Sequence, residues 1–468
     1  VRLRNSFSKV LRRLAVALGL LLLLCALALW VKPPDILRVG ANYAAKIVCS
    51  NVFLAARDPD EVLRTDVQAP GIGLLRLMRV TVDRQQRVVR AGLLGFIGDG
   101  LAIERPGNGC TVVPDGNLQF ARRVRAHDRV PVDRAPPPAG SSEATAEWPV
   151  GDSVASNAAL DHLLADDALA GPGMRAIVVV HHGHIVAERY GTGFSPTTPL
   201  LGWSMTKSVV AGLVGVLVRQ GRLTLDQSAG WPSEGAGRER IRIADLLAMS
   251  SGLAFNEAYG DVSDVTRMLY LETDMAGFAR AQPLAHPAGE FWSYSSGTAN
   301  ILSRIVQDAA GRVGAEYPAQ ILFKPLGMTS ATMETDEYGT LVGSSYMYAN
   351  AHDWARYGQF LLQDGVWRGQ ELLPRGYVDM MASPVAASGG QYAHGMVWLW
   401  GSDALNPGTN PDSSFGIPAD TFWMEGHDGQ SAAIIRSREL VIVRLGLTPA
   451  RTRYTPQALV KAVLEATR

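Results

Sequence analysis

The chain lacks any excess of charge of either sign: 44 Lys and Arg residues balance 44 Asp and Glu, a formal net charge of zero. A nucleic-acid binder needs a basic surplus, so that class is excluded. Lysine itself is scarce, with only Lys9, Lys32, Lys46, Lys207, Lys324 and Lys461 among the basic residues, which makes each one informative. Cysteine is scarcer, at three: Cys25, Cys49 and Cys110. No internal repeat and no second transmembrane run is present, which leaves neither a repeat array nor a multi-span membrane protein. What remains is a chain of 468 residues that is 47% hydrophobic and 19% charged. Such a composition can bury a sizeable core and rules out wholesale disorder. The length exceeds one average domain and suits one large domain with extra modules.

The first module is apolar. Arg2, Arg4, Lys9, Arg12 and Arg13 precede Leu14–Val31, a run without a charge. At ~1.5 Å per residue it spans roughly 27 Å, enough for the hydrocarbon core of a bilayer. The basic flank stays cytoplasmic by the positive-inside rule, which puts everything after Val31 on the far side. A cleaved signal peptide is the competing reading, because Ala26-Leu27-Ala28 offers a small-x-small site. The apolar run continues past that site through Val31, which favours an uncleaved single-pass anchor in the inner membrane with the rest in the periplasm or outside the cell. Either reading exports the chain. In an oxidising compartment Cys49 and Cys110 can form one disulfide, closing a loop worth about 4 kcal/mol at most; the alternative is two buried free thiols.

Four segments follow from composition: a basic tail and anchor over 1–33, a small α+β module over 34–125, a Pro-rich linker over 126–152, and a large domain over 153–468. In the module, 36–56 reads as helix and 74–82, 87–92 and 100–104 as short strands. The large domain opens with a helix over 155–170, then a hairpin of 174–180 and 185–190 turning at His182-Gly183. Helix-rich sequence runs from 204 to about 362. Strands return at 394–400, 421–425, 431–436 and 440–447, and 456–467 closes the chain as a helix. A sheet drawn from both ends of a domain, with helices inserted between, is an α/β sandwich with a helical subdomain. His181, His182 and His184 lie close together, but adjacent strand residues face opposite sides and no Asp, Glu or Cys partner has suitable spacing. No metal or other cofactor is expected.

The chemistry begins at Gly202-Trp-Ser-Met-Thr-Lys-Ser208. Ser-x-x-Lys puts Ser204 and Lys207 one helical turn apart on one face. A serine hydroxyl is a poor nucleophile until a base takes its proton, and a lysine desolvated in a cleft can lose its own proton and become that base. The spacing alone is weak, since Ser6-Phe-Ser-Lys9 contains it in the basic tail. Context separates them: Ser204 follows a turn and opens an almost wholly apolar helix.

Here the sequence resembles the serine hydrolases that include class C β-lactamases, D-alanyl-D-alanine carboxypeptidases, esterases and 6-aminohexanoate-dimer hydrolases. The likeness covers about 153–468. It rests on Trp203–Lys207, Gly221–Asp226, Ile243–Gly252, Pro287–Tyr294, Ala351–Gly358 and Gly426–Gln430, in that order. It implies a β-lactamase-like sandwich, an antiparallel sheet flanked by helices with an inserted helical subdomain.

The resemblance also implies roles. The family's Tyr-x-Asn reads Tyr294-Ser-Ser296 here. Tyr348-Ala-Asn350 matches the letters but lies later in the family order. Tyr294, beside the lysine ammonium, is expected as a phenolate that shuttles protons, and Ser296 as a partial substitute for the asparagine that contacts substrate. His427-Asp-Gly429 stands where β-lactamases have Lys-Thr-Gly, with Gly429 letting substrate approach closely. The backbone amides of Ser204 and Gln430 form the implied oxyanion hole. The run Leu247–Glu257 and the C-terminal Gly-Gln segment look most like the 6-aminohexanoate-dimer hydrolase branch, which makes Tyr259 a further substrate-binding candidate. The expected function is a membrane-anchored hydrolase of a small amide or ester through an acyl-enzyme. The alternatives are a D-amino-acid peptidase or β-lactamase acting near the cell wall, or a sensor that binds or acylates without turnover.

Overall fold

The computed structural model describes residues 2–70, 73–123, 146–232, 237–311, 316–403, 406 and 408–468. Helix Arg2–Val31 contains a stretch, Leu11–Val31, that is long and apolar enough to cross a membrane and is not covered by the rest of the chain. Pro33-Pro34 separates it from a second helix, Asp35–Phe53.

That second helix lies across a four-stranded antiparallel meander of Met78–Asp83, Val88–Leu93, Ile97–Arg105 and Gly109–Val112. Helix and sheet touch at backbone distance: a Cβ on Gly100 would sit 2.3 Å from the Ala41 carbonyl. A disulfide joins Cys49 on the helix to Cys110 on the last strand, with Cα atoms 6.0 Å apart. The strand expected at 74–82 begins only at Met78, because Gly73–Leu77 forms a 3₁₀ turn.

The large domain is built on five antiparallel strands in the order Thr421–Gly426, Gln430–Ile435, Leu440–Gly446, Met174–His181, His184–Tyr190. Side-chain alternation assigns its two faces. Ile177, Val179, Ile435 and Ile442 pack under Leu160, Leu459 and Val463 of the terminal helices. Val178, Val180, Val441 and Val443 join the larger core with Trp354 and Phe360 of helix Ala351–Leu362.

Three local expectations are corrected. The 155–170 segment is two short helices, Ala158–Leu164 and Asp167–Ala170, because Asp166 caps the second through its carboxylate on the Ala168 amide, 2.7 Å. The 394–400 segment is no ladder strand and makes only the isolated bridges Tyr392–Trp398 and Trp398–Trp423. His181 and His182 do not point apart: His182 turns at φ 50°, which brings the two rings to 4.0 Å. Of the proposed linker, 126–145 lies outside the described residues. Its end is not a linker at all, since Trp148 is 1% exposed and Arg356 holds the carbonyl of Gly151 and the carboxylate of Asp152, each at 2.8 Å.

The N-terminal module is keyed into the large domain by buried polar groups. Glu334 forms an ion pair with Lys46, and accepts from Ser50 Oγ at 2.9 Å and from the Cys110 amide at 2.6 Å. Arg105 reaches across to the carbonyls of Thr335 and Glu337 at 3.3 and 3.2 Å. Removing one partner of a buried pair leaves the other charge unsolvated. Glu334→Ala therefore costs about 3–5 kcal/mol in urea unfolding, and the double variant Lys46→Met/Glu334→Leu recovers most of that loss.

His352 gives stability a pH dependence. Its ring is buried between Asp152, 3.1 Å, and Glu188, 2.6 Å. Burial opposes its charge, but those hydrogen bonds outweigh it and push the imidazolium up to about 9. The folded value exceeds the unfolded ~6.5. The stabilisation, roughly 3 kcal/mol, is therefore complete below pH 6.5 and lost as pH rises through about 9. Urea midpoints measured at pH 6 and pH 9 differ accordingly, and His352→Asn flattens the difference.

Candidate active site

The turn that carries Ser204 is held by close packing. Strand Leu200–Leu201 leads into Gly202, where a Cβ would strike the Trp354 ring at 2.1 Å. Trp203 then adopts φ 48°. A left-handed bulky residue is strained, and the surrounding core has to hold it there. Ser204 follows, and helix Thr206–Arg219 carries Lys207 into the interior on a face of Val and Leu.

Lys207 is wholly buried. Its Nζ lies 2.9 Å from Ser204 Oγ, 3.1 Å from Ser296 Oγ and 2.8 Å from the Ser344 carbonyl. Burial pushes the amine down to about 8, against the opposing pull of Glu257. A neutral amine has two N–H groups and one lone pair. The ammonium donates to all three oxygens; once neutral, the amine keeps its two N–H groups for Ser344 and Ser296 and turns its lone pair to the Ser204 hydroxyl.

Tyr294 packs its ring 4.7 Å from Lys207 Nζ, stacked on Trp398 at 5.4 Å and edge-on to Tyr392 at 5.8 Å. Its hydroxyl lies beside Ser204. The expected phenolate is corrected: burial, then the nearby Glu257, push this phenol up, against the pull of Ser204. A low-dielectric pocket already holding one carboxylate disfavours a second anion. Tyr348 lies elsewhere, buried on strand Met347–Ala349 near Glu334 and Asp66. Asn350, the other end of that motif, caps helix Ala351–Leu362 by accepting from the Asp353 amide at 2.8 Å.

Ser296 is also corrected. It is 0% exposed and sits behind the cleft, where its hydroxyl accepts from Lys207 and donates to Glu257. Glu257 in turn accepts from the Ser296 amide at 2.8 Å. Burial raises the Glu257 carboxyl, while Lys207 and Ser296 pull it back. Glu257 was no site residue in the sequence reading. A lone carboxylate in a loop has no periodicity, and only the fold brings it to a helix start 39 positions later.

The opposite wall is the turn His427–Gly429 between strands Thr421–Gly426 and Gln430–Ile435. Gly426 is pressed against the backbone of Gly202, its hypothetical Cβ only 2.2 Å from that carbonyl. This contact brings the sheet edge carrying Gln430, the register partner of Gly426, to the turn that carries Ser204. The Gln430 side chain staples the turn, donating to the carbonyls of His427 at 3.1 Å and Gly446 at 2.6 Å. Gly429, at φ 80°, belongs to the turn. His427 is stacked on Tyr259 at 5.1 Å and meets Trp203 edge-on at 5.6 Å. Ser204, Tyr294, Tyr259, His427 and Gln430 line a cleft of about 340 Å³ together with Glu425, whose carboxyl burial pushes up to about 7. Glu425 was also outside the sequence reading. Among the described residues no group of three or more His, Cys, Asp or Glu is placed to hold a metal ion.

The Beta-lactamase family model matches residues 157–453, the whole of this machinery except the final helix and the N-terminal module. The chain belongs to the Beta-lactamase family. Among curated relatives, a 6-aminohexanoate-dimer hydrolase from Paenarthrobacter ureafaciens is 27% identical over 219 residues, 44% of this chain and 56% of the relative. The match thus spans about half of that relative's length. Two solved structures share the fold. One is a penicillin binding protein from Bacillus halodurans, at 17% identity and TM-score 0.50 over 66% of this chain and 100% of that one. The other is a hydrolase with promiscuous acyltransferase activity, at 14% identity and TM-score 0.52 over 65% of this chain and 97% of that one. Residues 34–123 lie outside the Beta-lactamase family match, although they pack directly on it.

Proposed function

We propose that this member of the Beta-lactamase family is a serine hydrolase that cleaves an amide or ester through an acyl-enzyme on Ser204, anchored by residues 14–31 with its catalytic domain on the periplasmic side of the inner membrane. One observation carries the chemistry: a buried amine, pushed down to about 8, stands 2.9 Å from the hydroxyl it has to deprotonate. Neutral Lys207 takes the Ser204 proton as Oγ adds to the substrate carbonyl. The amides of Ser204 and Gln430 receive the oxyanion, each donor being worth about 3 kcal/mol in such sites. The proton returns through the Tyr294 hydroxyl to the departing oxygen or nitrogen. Water then attacks the acyl group by the reverse route and frees Ser204. Residues 14–31 support the anchor by length and composition.

The reading is tested with a panel of p-nitrophenyl esters, linear amide dimers, D-Ala-D-Ala peptides and nitrocefin. Steady turnover of at least one class is expected; a burst of acylation with no steady state would make the protein a sensor instead. The pH profile tests the base. kcat/KM rises with an apparent pKa of about 8, the free-enzyme value of Lys207. The Glu257 charge raises Lys207, so Glu257→Gln moves this limb to lower pH. An unmoved limb would remove Lys207 from the role of base.

A further inference from the structure

Beside the catalytic cleft lies a second, predominantly apolar groove of about 320 Å³. Ile36, Val39, Leu74 and Leu75 of the N-terminal module form one wall, and Tyr270 and Pro449 of the family domain belong to the other. Trp203, Tyr259 and His427 line both groove and cleft. Those three rings are in mutual contact through His427, so the groove ends at the residue preceding the nucleophile. The carboxylates in the lining are Asp261 and Asp428, which repel an anionic head and tolerate a neutral chain.

We propose, resting on the hydrolase reading above, that the substrate is a neutral ester or amide bearing a long hydrocarbon chain, and that the chain lies in this groove while the carbonyl sits at Ser204. Three observations point to that occupant. The lining is predominantly apolar and the neighbouring cleft more polar than it, as suits a molecule with a reactive head and a greasy tail. The groove adjoins the cleft, with the same three rings lining both. Ile36 and Val39 of its first wall lie in the opening two turns of helix Asp35–Phe53, directly after the Pro33-Pro34 break that ends the apolar helix. Because seven of the seventeen lining residues lie outside the family match, this preference belongs in part to the N-terminal module, and it gives that module a purpose in substrate selection.

The test uses the full chain in nanodiscs and p-nitrophenyl esters from acetate to dodecanoate, each below its micellar concentration. Each methylene buried from water is worth about fourfold in kcat/KM, so the rate constant climbs steeply from butanoate to octanoate. Leu75→Trp, which fills the groove, and Leu74→Asp, which charges it, lower kcat/KM on dodecanoate by at least about tenfold and leave acetate within about twofold. Retained acetate turnover shows that the variants fold. A flat or falling wild-type chain-length profile, with acetate turnover that Ser204→Ala abolishes, overturns the groove assignment and leaves the hydrolase reading standing. Equal losses on both esters in the two variants overturn it as well. Absence of Ser204-dependent turnover on every ester and amide overturns both.

Discussion

Ser204→Ala abolishes turnover, with a loss of about 10³-fold or more in kcat on any substrate the wild type accepts. The substitution removes the attacking oxygen and little else. Lys207 keeps its contacts to Ser296 and Ser344, the Trp203 turn keeps its packing on Trp354, and the backbone amide of residue 204 remains in place. The urea midpoint therefore stays close to wild type while labelling by an active-site serine probe disappears. Ser6→Ala changes neither, although Ser6 and Lys9 share the same spacing. Near-wild-type turnover by the Ser204 variant, free of contaminating enzyme, sinks the assignment of the nucleophile.

The second large effect separates two tyrosines. Tyr294→Phe keeps the ring that packs on Trp398 and Lys207 and removes only the hydroxyl beside Ser204. A lost proton relay costs about 10²–10⁴-fold in kcat. Tyr348→Phe changes kcat by less than about tenfold, because its ring is buried on strand Met347–Ala349 and does not line the cleft. Because Tyr294 is held as a phenol, its variant loses rate while the limb near pH 8 set by Lys207 remains. The reverse ranking, with Tyr348 essential, would mean that the cleft is misplaced.

Local chemistry was legible from the residues themselves. Ser204 and Lys207 share a helix face because they are one turn apart, and such spacing survives any tertiary arrangement. The five-strand sheet drawn from both ends of the large domain could be read from its apolar runs, since a strand buried on both faces has to be hydrophobic throughout. The 394–400 run was misread because aromatic and aliphatic residues there serve as packing for Tyr294, with Trp398 stacked on its ring. Composition could not tell that use from a ladder.

Tertiary structure decided the states of the groups and the partners they meet. Whether Lys207 is an amine near neutral pH, whether Tyr294 is phenol or phenolate, and whether Ser296 faces substrate or Glu257 all depend on how much water the finished fold admits. Desolvation has no signature in the spacing of residues, because it is produced by chains of atoms arriving from distant positions. The docking of the N-terminal module has the same origin. The meeting of Lys46 with Glu334 and of Leu75 with the far wall of the groove joins segments hundreds of residues apart, and only the packed core fixes which surfaces close against each other.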